Sequence, residues 1–498
     1  MTSSIFSFRI VRAEKTPLQY FLIVCAGVLF LAEVLIHVRY TPDDAFIYFQ
    51  YAKKIAQGSG FSFNQNTPSY GVTGPLWAII LAAGKLLSFN LFVYAKVIDI
   101  ACALASLVVF YRLMWLILFD RLLATIATLV FTFDVWFLRW TSSAMDTSCA
   151  VFLMLSVLYN VFLGRPKISA LFAGLLTLVR PECALLFVLI FVYFILFQKG
   201  ELLKLSLKLI LTFCLVVVPW LIFSYFHFGT IVPNSFLSKT GGAFTLRDGV
   251  EGVTAISKII LSSQFPAAIG VLFAGWYLFH GGIREEFKAQ WLLFVWIGAL
   301  FLFYVIDDVQ VVSRYLLIVM PCLIILGIWG ISKLYEAKPR TLSYILLIFF
   351  LFTFVQNQFI YWTVVKPHTD NFTWGTEHCL KPIALWLRHN TSDSTKVVVP
   401  DIGAIGYYSD RIIYDPAGLV TPKVREAFRG FGYDEGMKER KYQCVVEPEF
   451  VIDRSEQPER LASTDLIPVM TRVFPGLGIK NTNIIYFTLY KVAAKNRP

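Results

Sequence analysis

From Pro17 to Trp362 the chain is a procession of apolar runs separated by short polar loops, and no other property narrows its possible folds so far. A helix needs roughly twenty apolar residues to cross a bilayer. Lipid offers no partner to a backbone N–H or C=O, so runs of this kind satisfy their polar groups internally, as helices. Spans are expected near 18–38, 92–118, 122–138, 147–163, 168–179, 183–197, 208–226, 266–280, 289–305, 315–332 and 341–362, roughly eleven in all. Charged residues make up 15% of the chain, against roughly a quarter in soluble domains, and the deficit is concentrated in these runs. From Thr363 onward both charge signs are mixed throughout. The expected fold class is therefore an α-helical polytopic membrane protein, with a transmembrane domain over 1–362 and a soluble α/β domain over 363–498. The first run, Leu18 to Val38, is followed by no small-residue cleavage site and reads as a signal anchor.

The net charge of +11 is not a nucleic-acid signature, because most of the excess lies in short loops between apolar runs. There it sets topology. Gly74 to Ser88 is a further apolar run, marginal in length for a span. If it crossed, Arg165, Lys167, the Lys199/Lys204/Lys208 group and Lys333/Lys338/Arg340 would all lie opposite the basic N-terminus of Arg9, Arg12 and Lys15. If it lies on the far surface as a juxtamembrane helix, every one of those basic loops joins the N-terminus in the cytoplasm, as the positive-inside rule requires. The non-crossing arrangement is the expected one, in a cytoplasmic (inner) membrane. It gathers Asp43, Asp44, Asp146, Arg180, Glu182, the 227–265 loop, Asp307, Asp308, Arg314 and the soluble domain at the external face. Ionisable groups collected at one face favour surface chemistry over a transport path.

Pro42 precedes two carboxylates, Asp43 and Asp44, that open a helix to about Gln57. Acids at a helix start cap orphan amides and complement the dipole. At the end of a span they are also placed to serve as a general base toward a lipid-borne substrate. Arg180 and Glu182 flank Pro181, which ends a helix; they either tie helix ends together or present Arg180 to a phosphate. Lys239 is a solvated loop lysine or a phosphate contact, and Asn234 a turn residue after Pro233 or a sugar contact. Asp307-Asp308 and Arg314 flank another external loop. His227, near Trp220 and Tyr225, fits interfacial anchoring.

Several of these stretches resemble the GT-C membrane glycosyltransferases, closest to the group around the mycobacterial terminal arabinofuranosyltransferase. The likeness is carried by Asp43-Asp44-Ala-Phe-Ile-Tyr-Phe-Gln-Tyr-Ala, Gly58-Ser-Gly-Phe-Ser-Phe-Asn and Gly71-Val-Thr-Gly-Pro-Leu-Trp77. It continues at Thr141-Ser-Ser-Ala-Met-Asp-Thr147, Leu178-Val-Arg-Pro-Glu182, Pro233-Asn-Ser-Phe-Leu-Ser-Lys239, Arg314-Tyr-Leu and Asp401-Ile-Gly-Ala-Ile-Gly-Tyr-Tyr408. Gln50 stands where that pattern has Arg, and Met145-Asp146 where it has Leu-Glu. The resemblance implies sugar transfer from a polyprenyl-phosphate donor to a glycan, lipid or protein acceptor outside the cytoplasmic membrane, usually with inversion. It implies Asp43 as base, with Asp44 as its partner or a metal ligand. Arg180, Lys239 and Arg314 would meet phosphate, Asn234 would meet sugar, and Asp146 and Glu182 would belong to the substrate site. The one cofactor this leaves room for is Mg²⁺ or Mn²⁺ on Asp43 and Asp44, whose oxygens suit such ions. The rival from another class is a transporter or flippase of a lipid-linked glycan, which calls for internal repeats and broken helices near the midplane; no repeat is evident.

In the soluble part, 396–401, 450–453 and 484–491 read as strands and 383–389 as a helix. Asp401 to Tyr408 reads as a strand running into a glycine-broken turn. Its two glycines do not complete a nucleotide fingerprint. Cys379 and Cys444 would be able to pair in an oxidising compartment. A reporter fused at Ser88 should read as external; a cytoplasmic reading there would separate the carboxylates and overturn this topology.

Overall fold

The structure is a computed structural model that describes residues 17–65, 67–197, 202–238, 245–281, 287–335, 338–479 and 483–493. It is a mostly helical membrane protein with a C-terminal mixed β-sheet domain. Helix α1 (Pro17–Ile36) leads to α2 (Asp43–Ala56), a short β1–β2 pair (Ser62–Asn64, Thr67–Pro68) and α3 (Pro75–Leu86). The bundle continues with α4 (Leu91–Leu118), α5 (Arg121–Thr132), α6 (Val135–Trp140), α7 (Thr147–Phe162), α8 (Pro166–Val179), α9 (Ala184–Phe197) and α10 (Leu202–Phe228). After α11 (Asn234–Leu237) come α12 (Leu246–Gly281), α13 (Lys288–Ile306), α14 (Ser313–Leu316), α15 (Met320–Leu334) and α16 (Pro339–Ile360). Among the described residues, five helices are long and apolar enough to cross a membrane by themselves, and shorter apolar helices fill the remaining expected positions.

Local chemistry moves several expected boundaries. The 122–138 run breaks at Phe133, because the Asp134 carboxylate accepts from the N–H groups of Trp136 (3.0 Å) and Phe137 (2.9 Å) and starts α6 anew. The 266–280 run extends back to Leu246 and bends at Gln264 (φ −127°, ψ 38°), two residues before Pro266. The 315–332 run is divided into α14 and α15. The last span does not stop at 362. It continues through π-helical turns at Tyr361–Val365 and Thr376–Leu380 into α17 (Lys366–Gly375) and α18 (Lys381–Asn390). Pro367 and Pro382 follow those turns; a proline ring clashes with the carbonyl four residues earlier, and a widened turn relieves the clash without ending the helix.

Helix α3 begins and ends at one face. Its N-terminal Gly74 lies against the Val179 carbonyl and the Asp146 side chain. Beyond its C-terminus, Phe92 packs on Phe46 (5.6 Å) and Phe49 (4.7 Å) of α2 and on Tyr407 (5.8 Å) of the soluble domain. Its 12 residues rise about 18 Å. That is shorter than the roughly 30 Å hydrocarbon core, and the helix floors the face that carries the C-terminal domain.

That domain is a five-stranded sheet in the order β4-β3-β5-β7-β6. Strands β3 (Lys396–Val398), β4 (Ile412–Tyr414) and β5 (Phe450–Ser455) are parallel, while β6 (Leu466–Pro475) and β7 (Ile484–Val492) add antiparallel to β5. Residues 402–408 are not a glycine-broken turn but the body of α19 (Ile402–Ser409). The glycines serve close packing: a Cβ on Gly403 would collide with the backbone of Asp43, and one on Gly406 would reach the Phe63 ring at 2.5 Å. Cys379 and Cys444, which the sequence leaves open to pairing, are not paired. Cys379 is a buried thiol and Cys444 an exposed one, so the domain coheres without that bond.

Helix α19 lies along α2, clamped at both ends. Asp43 accepts from the N–H groups of Gly403 and Ala404, each at 2.8 Å. At the other end Asp410 meets Lys53 (2.9 Å) and Lys54 (3.0 Å). Asn64 completes the seam by exchanging two hydrogen bonds with the backbone of Ile413. Substituting Gly403→Ala tests this packing, since helix propensity alone would stabilise by about 1 kcal/mol whereas overpacking costs about 1–3 kcal/mol. The melting temperature in detergent should fall; a rise would mean that α19 does not sit this close to α2.

Candidate active site

Consecutive residues on a helix project about 100° apart, so the adjacent carboxylates opening α2 face different ways. Asp43 is turned to the N-terminus of α19. Asp44 faces a cavity and forms an ion pair with Arg314 (Nη2–Oδ2 2.5 Å). The cavity, open at its mouth, is also lined by Tyr48, Asp146, Arg180, Ser235 and Tyr315. A second space shares Arg180 and Tyr315 and continues past Glu182 to Phe236 and Phe303.

Arg180 caps α8 in extended conformation, as the following proline requires. Its guanidinium lies 3.0 Å from Asp146 and 3.9 Å from Glu182, and 5.2 Å from the Tyr315 ring centre. Arg314, 8% exposed, stands 5.3 Å from the same ring and 5.4 Å from that of Trp140. Two guanidiniums thus flank one tyrosine. Each keeps a buried Nε–H with no hydrogen-bond partner, and Ser235 likewise has a buried hydroxyl without one. Buried donors left in this state are uncommon and call for an explanation. Here three of them belong to residues lining one cavity.

The loop ahead of Asp146 is bent with force. Ser142 (φ 67°) and Ala144 (φ 65°) both occupy the left-handed region, at roughly 1–3 kcal/mol each. Lys96 holds the loop by donating to the carbonyls of Tyr40 (2.8 Å) and Ser142 (2.7 Å), and Asp99 accepts from the N–H of Ala144 (3.2 Å). The bend delivers Asp146 between Arg180 and the Tyr48 hydroxyl, 3.3 Å away. The glycines of Gly71-Val-Thr-Gly-Pro explain themselves here. A Cβ on Gly74 would meet the Val179 carbonyl at 2.7 Å and the Tyr48 hydroxyl at 3.0 Å.

Of the residues singled out from sequence, Asp44, Asp146, Arg180, Glu182 and Arg314 come together. Asn234 stands beside them, with its side chain donating to the Leu419 carbonyl (3.2 Å) rather than lining the cavity. Asp43 serves the domain seam, and Lys239 lies outside the described residues. Asp307 and Asp308 follow α13 and are in neither lining set, although their neighbours Tyr304 and Val309 line the second space. His227 stacks on Phe223 at 4.9 Å, within an aromatic cluster. Tyr48, Ser235 and Tyr315 lie within the motifs given above, though those motifs carry no role for them; Lys96 and Asp99 lie outside, and their available signal is an ionisable residue within an apolar helix. A divalent cation on Asp43 and Asp44 does not fit this arrangement, since their oxygens diverge toward α19 and Arg314. Among the described residues no three His, Cys, Asp or Glu side chains converge as a metal site.

Residues 370–491 match the model of a domain of unknown function, DUF8728. No curated protein matches the sequence. Solved structures do. ArnT from Cupriavidus metallidurans bound to undecaprenyl phosphate is similar over 93% of this chain and 97% of its own, with a TM-score of 0.55 at 12% identity. The oligosaccharyltransferase of Archaeoglobus fulgidus, tethered to an acceptor peptide, is similar over 88% and 69%, with a TM-score of 0.54 at 12% identity. Arabinofuranosyltransferase AftD from mycobacteria is similar over 96% of this chain but 42% of its own, with a TM-score of 0.51 at 15% identity. The fold is thus GT-C-like. These likenesses single out no subgroup, the expected arabinofuranosyltransferase group included.

Burial pushes the Asp43 carboxyl up to about 7, with Asp401 and Asp44 adding to the rise against the pull of the two backbone donors. A carboxyl raised on folding contributes stability that is fully present below its unfolded value, about 3.8, and is lost as pH rises through the folded one. The melting temperature of the wild type relative to Asp43→Asn should therefore decline between about pH 4 and pH 7. A difference that grew with pH would place Asp43 in some other environment.

Proposed function

We propose that this chain transfers a sugar from a polyprenyl-phosphate carrier to a hydroxyl of a glycan, lipid or protein acceptor, with inversion at the anomeric carbon. The reaction takes place at the membrane face carrying the C-terminal domain, external by the positive-inside rule. The supporting observation is the pair of buried guanidiniums flanking Tyr315, each with an unpartnered Nε–H, beside a partly exposed carboxylate. A planar fork of donors suits phosphate oxygens, and a similar fold binds undecaprenyl phosphate.

In this reading Arg180 and Arg314 hold the donor phosphate, with Asp146 and Glu182 orienting Arg180. Arg314 shifts its contact from Asp44 to the phosphate as the donor arrives. Asp44, rather than Asp43, then takes the proton from the acceptor hydroxyl. The acceptor oxygen bonds to the anomeric carbon as the bond from that carbon to phosphate oxygen breaks. The lipid phosphate leaves as an anion, so no second acid is needed. Asp43 acts at one remove, by fixing α2 against α19.

Transfer from a panel of radiolabelled polyprenyl-phosphate sugars to membrane extracts tests the reading. Asp44→Asn should lower the rate by about a hundredfold to ten-thousandfold in protein that still folds, although loss of the Arg314 ion pair lowers its melting temperature, whereas Asp43→Asn should act mainly on stability. If no donor is consumed, or Asp44→Asn works like wild type, the proposal fails.

A further inference from the structure

Beyond the phosphate cradle, the cavity has a corner of different chemistry. Ser235, 5% exposed and part of the cavity lining, sits at the start of α11, and its buried hydroxyl lacks any partner. Beside it is Leu419, a residue of the C-terminal domain in the lining. The loop bearing Leu419 is stiff. The Asp415 carboxylate accepts from the N–H groups of Leu419 (2.5 Å), Val420 (3.1 Å) and Thr421 (2.9 Å), and from the Thr421 hydroxyl (2.7 Å). The Leu419 carbonyl takes the Asn234 side chain at 3.2 Å and lies so close to Gly71 that a Cβ there would meet it at 2.8 Å. Asn234 thus ties the serine-bearing helix to the leucine-bearing loop.

We infer that Ser235 and Leu419 form the sugar-selecting wall of the cavity, Ser235 pairing with one sugar hydroxyl and Leu419 limiting the size of the sugar ring and its substituents. This inference rests on the transferase reading and deepens it. An anionic phosphate is matched by Arg180 and Arg314, so the neutral polyol portion of the donor falls to the uncharged corner. A hydroxyl held ready without a partner discriminates strongly, because a sugar lacking the matching group leaves it unpaired. An aliphatic side chain on a braced loop discriminates by volume, since it cannot withdraw without dragging the Asp415 turn.

The test measures equilibrium binding of radiolabelled bare polyprenyl phosphate beside polyprenyl-phosphate pentose and polyprenyl-phosphate hexose. Wild type should bind one glycosylated lipid more tightly than the bare one. Ser235→Ala should weaken that glycosylated lipid by about tenfold and leave bare polyprenyl phosphate unchanged, while Ser235→Thr, which keeps a hydroxyl, retains the preference. Leu419→Ala should narrow the gap between pentose and hexose. Melting temperatures should match wild type for Ser235→Ala, because the hydroxyl removed has no partner to lose. If Ser235→Ala weakens bare and glycosylated lipids equally, Ser235 belongs to the phosphate, and the wall falls while the transferase reading stands. If wild type binds all three lipids alike, the wall alone falls; if it binds none of them, the transferase reading falls and the wall with it.

Discussion

The packing of α19 along α2 is the contact on which the rest of the site depends. Helix α2 carries Asp44 and Tyr48, and the chain that follows α19 carries the loop ending in Leu419. Those residues meet because the two helices run side by side in the same direction, joined by the Asp43 carboxylate at one end and the Asp410 ion pairs at the other. A carboxylate on the N–H groups of a helix start gains from both hydrogen bonding and the helix dipole. It stands near two other acids, Asp401 and Asp44, and burial works against its charge. Arg454 answers one of those acids, contacting both oxygens of Asp401 at 2.8 and 3.0 Å. The seam is therefore an electrostatic balance as much as a packed surface.

The cations of the site are organised by aromatic rings. The guanidinium of Arg139 lies 4.9 Å from the Trp140 ring, Arg314 lies between Trp140 and Tyr315, and Arg180 follows on Tyr315. A guanidinium stacks well on such rings and is weakly hydrated, which suits it to this dry setting. The rings keep like charges apart while leaving each one close to the cavity or to its neighbour. Arginines brought together in this way hold a standing demand for an anion.

Much of this was readable in the chain. Apolar runs of span length define the helical frame, and the Arg180-Pro181 and Arg314-Tyr315 stretches lie at the cavity. What escaped notice was set by contacts distant in sequence. Nothing local in Asp43-Asp44 says which acid faces a helix contributed by residues some 360 positions away. Gly403 and Gly406 suggest a turn until the bulk of Asp43 and Phe63 beside them is known. Asp134 ends one helix and begins another within an apolar run, because a single carboxylate able to cap overrides the continuity of the hydropathy signal. Ser235 has no signature at all, since an unpartnered hydroxyl is defined only by its surroundings.

The unbroken helix from Pro339 to Asn390 joins the last pass through the lipid to the first helix of the sheet domain. A stiff rod shared between two environments makes the bilayer part of the machine. Hydrophobic mismatch tilts spanning helices, and a tilt at the membrane end of such a lever displaces its other end. The domain bearing Leu419 rides on that lever while its grip on α2 resists the motion. The cavity wall at Leu419 is thus held from two sides, by the helix that rises out of the lipid and by the grip of α19 on α2.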